Sequence, residues 1–184
     1  IASCLVGSEM CIRDRYILGK TGGVDFYHAF KILYFAEMKH LAKWGSGIVP
    51  DEFCALKYGP VPTRLYDAVK ELNHPRMTLS EELAEAVRFA GEDAPNILLP
   101  NREANMRYLS RSETEVLDQS IDENKSLTFG QLMRKSHDEA WEEASRRANG
   151  TKVISPVSMA KVLGADEAML EYINEQMQIE SALK

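Results

Sequence analysis

The stretch DFYHAFKILYFAEMKHLAKW, residues 25–44, decides the fold of this chain. Its apolar residues recur at spacings of three and four, which is the period of an α-helix with a buried face. The residues on that face are Phe26, Ala29, Phe30, Leu33, Ala36, Leu41 and Trp44. Ile32, Tyr34 and Phe35 widen the apolar arc beyond one stripe. We therefore predict a central helix that is covered on several sides.

The residues that flank this stretch carry helix-boundary signals. Asp25 is suited to cap the start of the helix, and Gly45 and Gly47 are suited to end it. Similar signals predict shorter helices along the rest of the chain. They cover residues 64–72, 81–90, 112–123 and 129–135, a segment carrying Trp141, a segment opened by Ser155-Pro156, and residues 166–182.

Side-chain caps mark the starts of several of these helices. Thr63 is placed to cap the helix at 64–72. Pairs of Ser or Thr with Glu or Gln three residues later predict capping boxes. These pairs are Ser112 with Glu115, Thr128 with Gln131, and Ser136 with Glu139.

The predicted strands are short. Residues 53–58 alternate in a way that permits one strand, whereas the prolines in Gly59-Pro60-Val61-Pro62 predict a rigid extended corner without regular structure. Residues 96–99 and 106–109 are apolar runs on either side of a loop, which predicts a small antiparallel hairpin. The expected fold is mainly α, a compact multi-helix domain with a small antiparallel β element (α+β).

The first residues of the chain fit none of these patterns. LVGSEMCIRDR, residues 5–15, back-translates in frame to CTC GTG GGC TCG GAG ATG TGT ATA AGA GAC AGR, which looks like a transposase sequencing adapter. We therefore predict that residues 1–15 are not native and that the natural N-terminus is missing. The predicted domain covers residues 16–150, and residues 151–184 form a helical extension packed on it.

Composition excludes several classes of function. The net charge of −6 lacks the basic footprint of a general nucleic-acid binder. No apolar run reaches the ~20 residues of a membrane span. Cys54 is the only cysteine after residue 15, so we expect neither a disulfide framework nor a Cys-based zinc site. A reducing cytoplasm is the simplest compartment.

The histidines do not predict a catalytic or metal site. His28, His40, His74 and His137 lack the spacing of metal ligands. His137 and Asp138 are adjacent on a predicted helix, where neighbouring side chains diverge by about 100° and rarely pair. We accordingly expect no enzyme, no metal and no cofactor. His137 and Trp141 share a helix face, with Trp141 as a core anchor or, in the minority interpretation, as a contact for a partner.

The stretch KYGPVPTRLY, residues 57–66, is the most specific candidate for binding. Two prolines freeze the backbone, and two tyrosines and two cations flank it. The candidate partner-binding residues are Lys57, Tyr58, Gly59, Pro60, Val61, Pro62, Arg64 and Tyr66, together with His137 and Trp141. A structural corner and a preorganised binding edge are both open at this point.

Four blocks in fixed order carry a family resemblance. They are KILYFA (31–36), HLAKWG (40–45), KYGPVP (57–62) followed by Tyr66, and SHDEAW (136–141). Together they resemble the Panacea domain of SocA-like antitoxins and related phage-associated proteins, over roughly residues 19–147. The resemblance implies a small helical domain of bacteria and phages that neutralises a toxin encoded by an adjacent gene. It also implies a protein toxin as partner and, in one characterised behaviour of the family, delivery of that toxin to a cellular protease.

Two other functions compete with this one. Short helices with a hairpin could form a winged, DNA-binding regulator, although the acidic charge argues against nucleic acid as a partner. A hydrolase that uses His137 would need acids and a nucleophile from elsewhere in the fold.

Overall fold

A computed structural model describes residues 2–147 and 151–183, with side chains from Ile12 onward. The helices are α1 (Ala2–Thr21), α2 (Phe26–Trp44), α3 (Thr63–Lys70), α4 (Thr78–Ala86), α5 (Arg111–Asn124), α6 (Phe129–Ser136), α7 (Glu139–Ser145), α8 (Pro156–Val162) and α9 (Glu167–Ala182). The strands are β1 (Val24–Asp25), β2 (Phe53–Leu56), β3 (Gly59–Pro62), β4 (Val87–Phe89) and β5 (Ile97–Pro100). The predicted class, mainly α with a small antiparallel β element, is confirmed.

Helix α2 lies at the centre of the molecule, as predicted. The Asp25 carboxylate accepts hydrogen bonds from the backbone N–H groups of Tyr27 and His28, and Gly45 ends the helix with a φ of 71°. Helices α1, α5, α6 and α8 and strand β3 all pack against α2. This covering buries even two charged residues of the helix, Lys31 and Glu37.

Glu37 and Lys31 differ in the number of hydrogen bonds that offset the cost of burying their charge. The Glu37 carboxylate accepts hydrogen bonds from the N–H groups of Ile48 (2.6 Å) and Val49 (3.0 Å). Burial nevertheless raises the pKa of Glu37 to about 7. The Lys31 ammonium donates to one carbonyl, that of Pro60 (2.9 Å), and burial lowers its pKa to about 7.

The predicted irregular corner at Gly59–Pro62 is wrong, because these residues form strand β3, antiparallel to β2. The Ala55 N–H and the Phe53 C=O form hydrogen bonds with the segment around Val153. The backbone groups of the alternate residues, Cys54 and Leu56, therefore point toward β3. Their partners are Val61 and Gly59. The two prolines thus occupy positions whose nitrogens point away from β2, where no donor is needed.

A second sheet contains three strands in the order β1-β5-β4, all antiparallel. The predicted hairpin between 96–99 and 106–109 is wrong, since β5 pairs with β1 and β4, and Met106–Tyr108 is a 3-10 turn. The helix predicted at 81–90 ends at Ala86 because the next three residues pair with β5 as strand β4. Contacts distant in sequence here override local helix preference.

Some predicted caps are confirmed and others are displaced. The box of Thr128 with Gln131 is confirmed. The predicted helix starts at Pro156 and after Asp166 are also confirmed, although the Ser155 side chain makes no cap hydrogen bond. The predicted boxes at Ser112 and Ser136 and the predicted cap at Thr63 are wrong. Helix α5 is capped by Ser110 with Glu113, and helix α7 by Asp138. Helix α3 receives the side chain of Asp51, which accepts from the N–H groups of Arg64 and Leu65.

Helix α1 crosses the predicted boundary between residues 15 and 16. Ile12 is buried in the core, and the buried Asp14 lines a small apolar cavity with residues such as Leu18 and Phe30. Burial raises the pKa of Asp14 to about 7. That residues 1–15 are not native stays a prediction, and the predicted boundary at residue 150 lies outside the described residues.

Candidate functional site

The ten predicted binding residues differ in their exposure to solvent. Gly59–Pro62 is buried along its whole length. Lys57, Tyr58 and Arg64 are exposed. The remaining residues, Tyr66, His137 and Trp141, are half-buried. The structure therefore divides one sequence motif into an inner part and an outer part.

The inner part packs on Lys31 of helix α2. Gly59 has a φ of 101°, and a Cβ at this position would lie 2.6 Å from Ser136 Oγ and 2.7 Å from Lys31 Cε. Glycine is required here both by the backbone angle and by the close approach of α2 and α6. The Lys31 ammonium bonds the outward carbonyl of Pro60, so the hairpin is fastened to the central helix.

The outer part belongs to a line of aromatic rings across the surface, which we call the aromatic strip: Tyr58, Phe129, Tyr27 and Tyr66. The ring centroids of Tyr58 and Phe129 are 6.0 Å apart, those of Phe129 and Tyr27 are 6.2 Å apart, and those of Tyr27 and Tyr66 are 6.1 Å apart. Tyr58 is 47% exposed and Phe129 is 45% exposed. These rings present a large, rigid apolar area to solvent.

At the half-buried end of the strip, the hydroxyls of Tyr27 and Tyr66 form a hydrogen bond. The hydroxyl oxygens of Tyr27 and Tyr66 lie 3.4 Å apart. This hydrogen bond and burial raise the pKa of Tyr27 to about 12. The Tyr27 hydroxyl therefore remains protonated at neutral pH.

Trp141 supports the same hairpin from its other side. Its Nε1–H donates to the carbonyl of Leu56 (3.1 Å), one residue before Lys57. The His137 ring stacks on Trp141, with centroids 3.7 Å apart and planes 5° from parallel. Leu56, which precedes Lys57 in the chain, is itself exposed.

His137 is not arranged as a catalytic base with Asp138. The Asp138 carboxylate accepts from the Tyr34 hydroxyl and from the Trp141 N–H. In the described part of the chain, His137 Nε2 is buried and has no hydrogen-bond partner. Burial lowers the pKa of His137, and the nearby Lys31 charge adds to this effect. The prediction that the two residues are adjacent on one helix is wrong, because His137 follows helix α6 and Asp138 precedes helix α7.

Cations border the aromatic strip. Lys57 Nζ lies 5.4 Å from the centroid of Tyr58, and Lys70 Nζ lies 4.4 Å from that of Tyr66. Exposed tyrosines beside cations are typical of the residues that dominate binding energy at protein interfaces. The geometry thus suits the surface for contact with another protein.

Sequence reasoning missed three residues of this surface: Tyr27, Leu56 and Phe129. Phe129 directly follows the Thr128 cap, and an apolar residue at a first helical position that points away from the core is a detectable signal. Tyr27 lies off the apolar stripe of α2 and has no such signal. Its contact with Phe129 joins positions that are far apart in the sequence, which a local pattern does not show.

Other classes of site receive no support from the geometry. Among residues 12–147 and 151–183, no group of three or more His, Cys, Asp or Glu side chains is placed to hold a metal ion. None of the helices described combines the length and apolar character needed to cross a membrane.

The family model described as "Antitoxin SocA-like, Panacea domain" matches residues 30–142. This range includes most of α2, the β2–β3 hairpin and the start of α7. Neither a curated protein nor a solved structure matches the chain. The matched region covers more than half of the sequence and contains every candidate binding residue, so this chain belongs to the SocA-like antitoxin family and carries its Panacea domain.

Proposed function

We propose that this protein is the antitoxin of a bacterial or phage toxin–antitoxin module and neutralises its toxin by direct protein–protein contact in the cytoplasm. The toxin is a protein encoded by an adjacent gene. Family membership supports the antitoxin role. The observation that carries the contact mechanism is the aromatic strip, whose Tyr58 and Phe129 rings are exposed although the hairpin that carries Tyr58 is fixed to the core.

A fixed backbone favours tight binding because little conformational freedom is lost when the partner docks. The β2–β3 hairpin is fastened by Lys31 at Pro60 and by Trp141 at Leu56. Tyr58 lies between these two attachments. The exposed ring is therefore presented in one orientation rather than on a loose loop.

In this proposal the protein is not an enzyme, and the polar groups near the hairpin have structural tasks. Lys31 bonds a backbone carbonyl, and Asp138 caps helix α7. The His137 ring is stacked face to face on Trp141. Such stacking positions an indole anchor and does not orient a base toward a substrate.

The direct test is neutralisation in living cells. The full chain and each adjacent reading frame are placed under separate inducers in bacteria, and growth is scored. We expect one neighbour to arrest growth when expressed alone, and we expect this chain to restore growth. A toxic neighbour that is not rescued by a folded, well-expressed chain contradicts the proposal for that pair.

Matched variants assign the effect to the aromatic strip. Tyr58→Ala combined with Phe129→Ala removes the two exposed rings of the aromatic strip, whereas Tyr172→Ala removes a ring that is 46% exposed on helix α9. Only the first variant is expected to lose neutralisation. Equal rescue by both variants would place the toxin contact elsewhere.

Toxin turnover distinguishes the two routes of neutralisation. If the protein acts as a proteolytic adaptor, the half-life of the toxin falls when the antitoxin is induced, and it recovers in a strain that lacks the protease. If binding alone inhibits the toxin, the half-life stays constant while growth is restored.

A further inference from the structure

Strand β4 leaves one edge of the three-stranded sheet open. Ala90 N–H donates to Ile97 C=O, and Asn101 N–H donates to Ala86 C=O, both at 2.9 Å. The backbone groups of every second residue, which include those of Arg88, therefore point toward β5. The backbone groups of Val87 and Phe89 face the opposite way, where the described residues contain no further strand.

The outward backbone groups of β4 are largely unpaired. Val87 N–H is used by the end of helix α4, since it donates to the Leu83 carbonyl. Val87 is 1% exposed, so the accessible outward groups of β4 are the N–H and carbonyl of Phe89, for which the described residues provide no hydrogen-bond partner. A free donor and acceptor at a sheet edge can pair with another strand.

A groove of about 410 Å³ runs beside this edge. Its apolar walls come from Leu72, Ala84, Phe89 and Pro95, at the ends of α3 and α4 and in the β4–β5 loop. The walls lie next to the open backbone, so side chains of an added strand would enter the groove alternately. The groove is on different elements from the aromatic strip.

The charged residues nearest the groove are mostly acidic. Glu92 and Arg88 line it, and Glu85 and Asp93 are each one residue in sequence from a lining residue. The Arg88 guanidinium bonds Pro100 C=O and Asn101 Oδ1, toward β5 and away from the open edge. Glu85, Glu92 and Asp93 are exposed, and no ion pair of the described residues involves them. The field at the groove therefore favours a positively charged occupant.

We propose that the open edge of β4 binds an extended peptide segment of a partner protein as an additional strand, with apolar side chains in the groove and flanking Lys or Arg against the acidic rim. Backbone hydrogen bonds would supply affinity, and the alternate pockets and charges would supply selectivity. This inference does not rest on the antitoxin role, because it concerns a different surface and needs no toxin. A second copy of the chain is a poorer occupant, since pairing β4 with itself brings two acidic rims together.

Selection from a phage-displayed library of random peptides tests the proposal on the full chain. Counter-selection uses a variant in which Phe89→Pro, Glu92→Lys and Asp93→Lys close the edge and reverse the rim charge. We expect enriched peptides in which apolar residues alternate and Lys or Arg flank them. Absence of any enrichment over the counter-selected variant overturns the proposal.

Two single-site variants isolate the backbone contribution. Phe89→Ala and Phe89→Pro both lose the ring, but only proline lacks the N–H, and proline is tolerated on an edge strand. We expect an enriched peptide to bind Phe89→Pro on the order of tenfold more weakly than Phe89→Ala. Equal affinity for the two variants contradicts strand addition.

Two further measurements keep the test independent of the folding of the proline variant. Glu92→Lys with Asp93→Lys changes exposed side chains only, and we expect it to weaken binding by about tenfold. A peptide N-methylated at alternate backbone nitrogens should lose binding to the unaltered protein in one methylation register and keep it in the other. Binding that is insensitive to both changes, or that accompanies dimerisation through β4, overturns the assignment.

Discussion

The two halves of the KYGPVP motif teach different lessons. Lys57 and Tyr58 are exposed at the turn of the β2–β3 hairpin, whereas Gly59–Pro62 is buried against helix α2. The inner half determines where the hairpin lies. The outer half presents a ring to solvent. A residue in this motif is thus exposed or buried according to which side of Gly59 it occupies.

Helix α2 contains two buried charged residues that bond to different segments of the chain. Lys31 and Glu37 are both buried, but Glu37 has two backbone donors and Lys31 has one backbone acceptor. Burial costs free energy for the charged form of each, and it moves the pKa of each to about 7. Lys31 serves the hairpin and Glu37 serves the loop after α2, so substitutions at the hairpin side test the inner half of the motif.

The largest effect is expected for Gly59→Ala. The backbone φ at this position is 101°, and the new Cβ would clash with the side chains of Ser136 and Lys31. We expect the free energy of unfolding to fall by roughly 2–5 kcal/mol, from strain and overpacking together. Urea denaturation measures the change. Gly164→Ala is the matched control, because its φ is 78° and a Cβ there meets nothing within 4 Å. Equal losses for the two variants would show that packing against α2 contributes nothing.

Lys31→Met should change the pH dependence of stability. The pKa of Lys31 is lowered to about 7 from 10.5, so the folded protein binds fewer protons than the unfolded chain between these values. Stability of the parent therefore rises with pH from about 7 to 10.5, by roughly 3–5 kcal/mol from this group. The variant lacks this rise.

The measurement is the free energy of unfolding of parent and variant across that pH range. The advantage of Lys31→Met is expected to be greatest at or below pH 7 and to shrink as the pH approaches 10.5. A constant difference between the two proteins would show that Lys31 does not titrate differently on folding. Any constant offset reflects the lost hydrogen bond to Pro60, which methionine cannot replace.

Trp141→Phe should loosen the outer half of the motif modestly. The variant loses the Nε1 hydrogen bond to Leu56 and keeps an aromatic ring against His137. We expect a loss of about 1–2 kcal/mol in the free energy of unfolding. Trp44→Phe is the control, since no described residue accepts a hydrogen bond from the Trp44 indole. A larger loss at Trp44 would mean that indole packing, and not the bond to the hairpin, sets the effect.

The smallest effect on stability is expected for Tyr58→Ala with Phe129→Ala. Both rings are nearly half exposed, so the free energy of unfolding should change by about 0.5 kcal/mol or less for each ring. Thermal unfolding followed by circular dichroism measures it. A large loss would show that the aromatic strip is part of the core and would remove the contrast with Gly59.

The central helix could be predicted from sequence because its period and caps are local. The displaced caps show where local signals fail. Two capping-box patterns overlap in residues 110–115. Ser110 is paired with Glu113 in the first, and Ser112 is paired with Glu115 in the second. The structure uses the first pair. The choice depends on how α5 packs against α2, which is a contact between distant residues.

The strands and the aromatic strip were harder to predict for the same reason. Pro60 and Pro62 argue against a strand unless the side facing the partner is known. Residues 87–89 favour a helix until β5 supplies a partner. The strip unites rings from α2, the hairpin, α3 and α6, and the sequence named only Tyr58 and Tyr66 among them. Folding brings the other two rings alongside.

The central claim is that the outer half of the motif binds the toxin and the inner half only positions it. Titration of the purified toxin into the full chain by calorimetry tests this most directly. The account predicts that Tyr58→Ala with Phe129→Ala weakens binding by at least about tenfold without altering the fold, while Tyr172→Ala binds like the parent. Unchanged affinity in the Tyr58 and Phe129 variant would contradict the account.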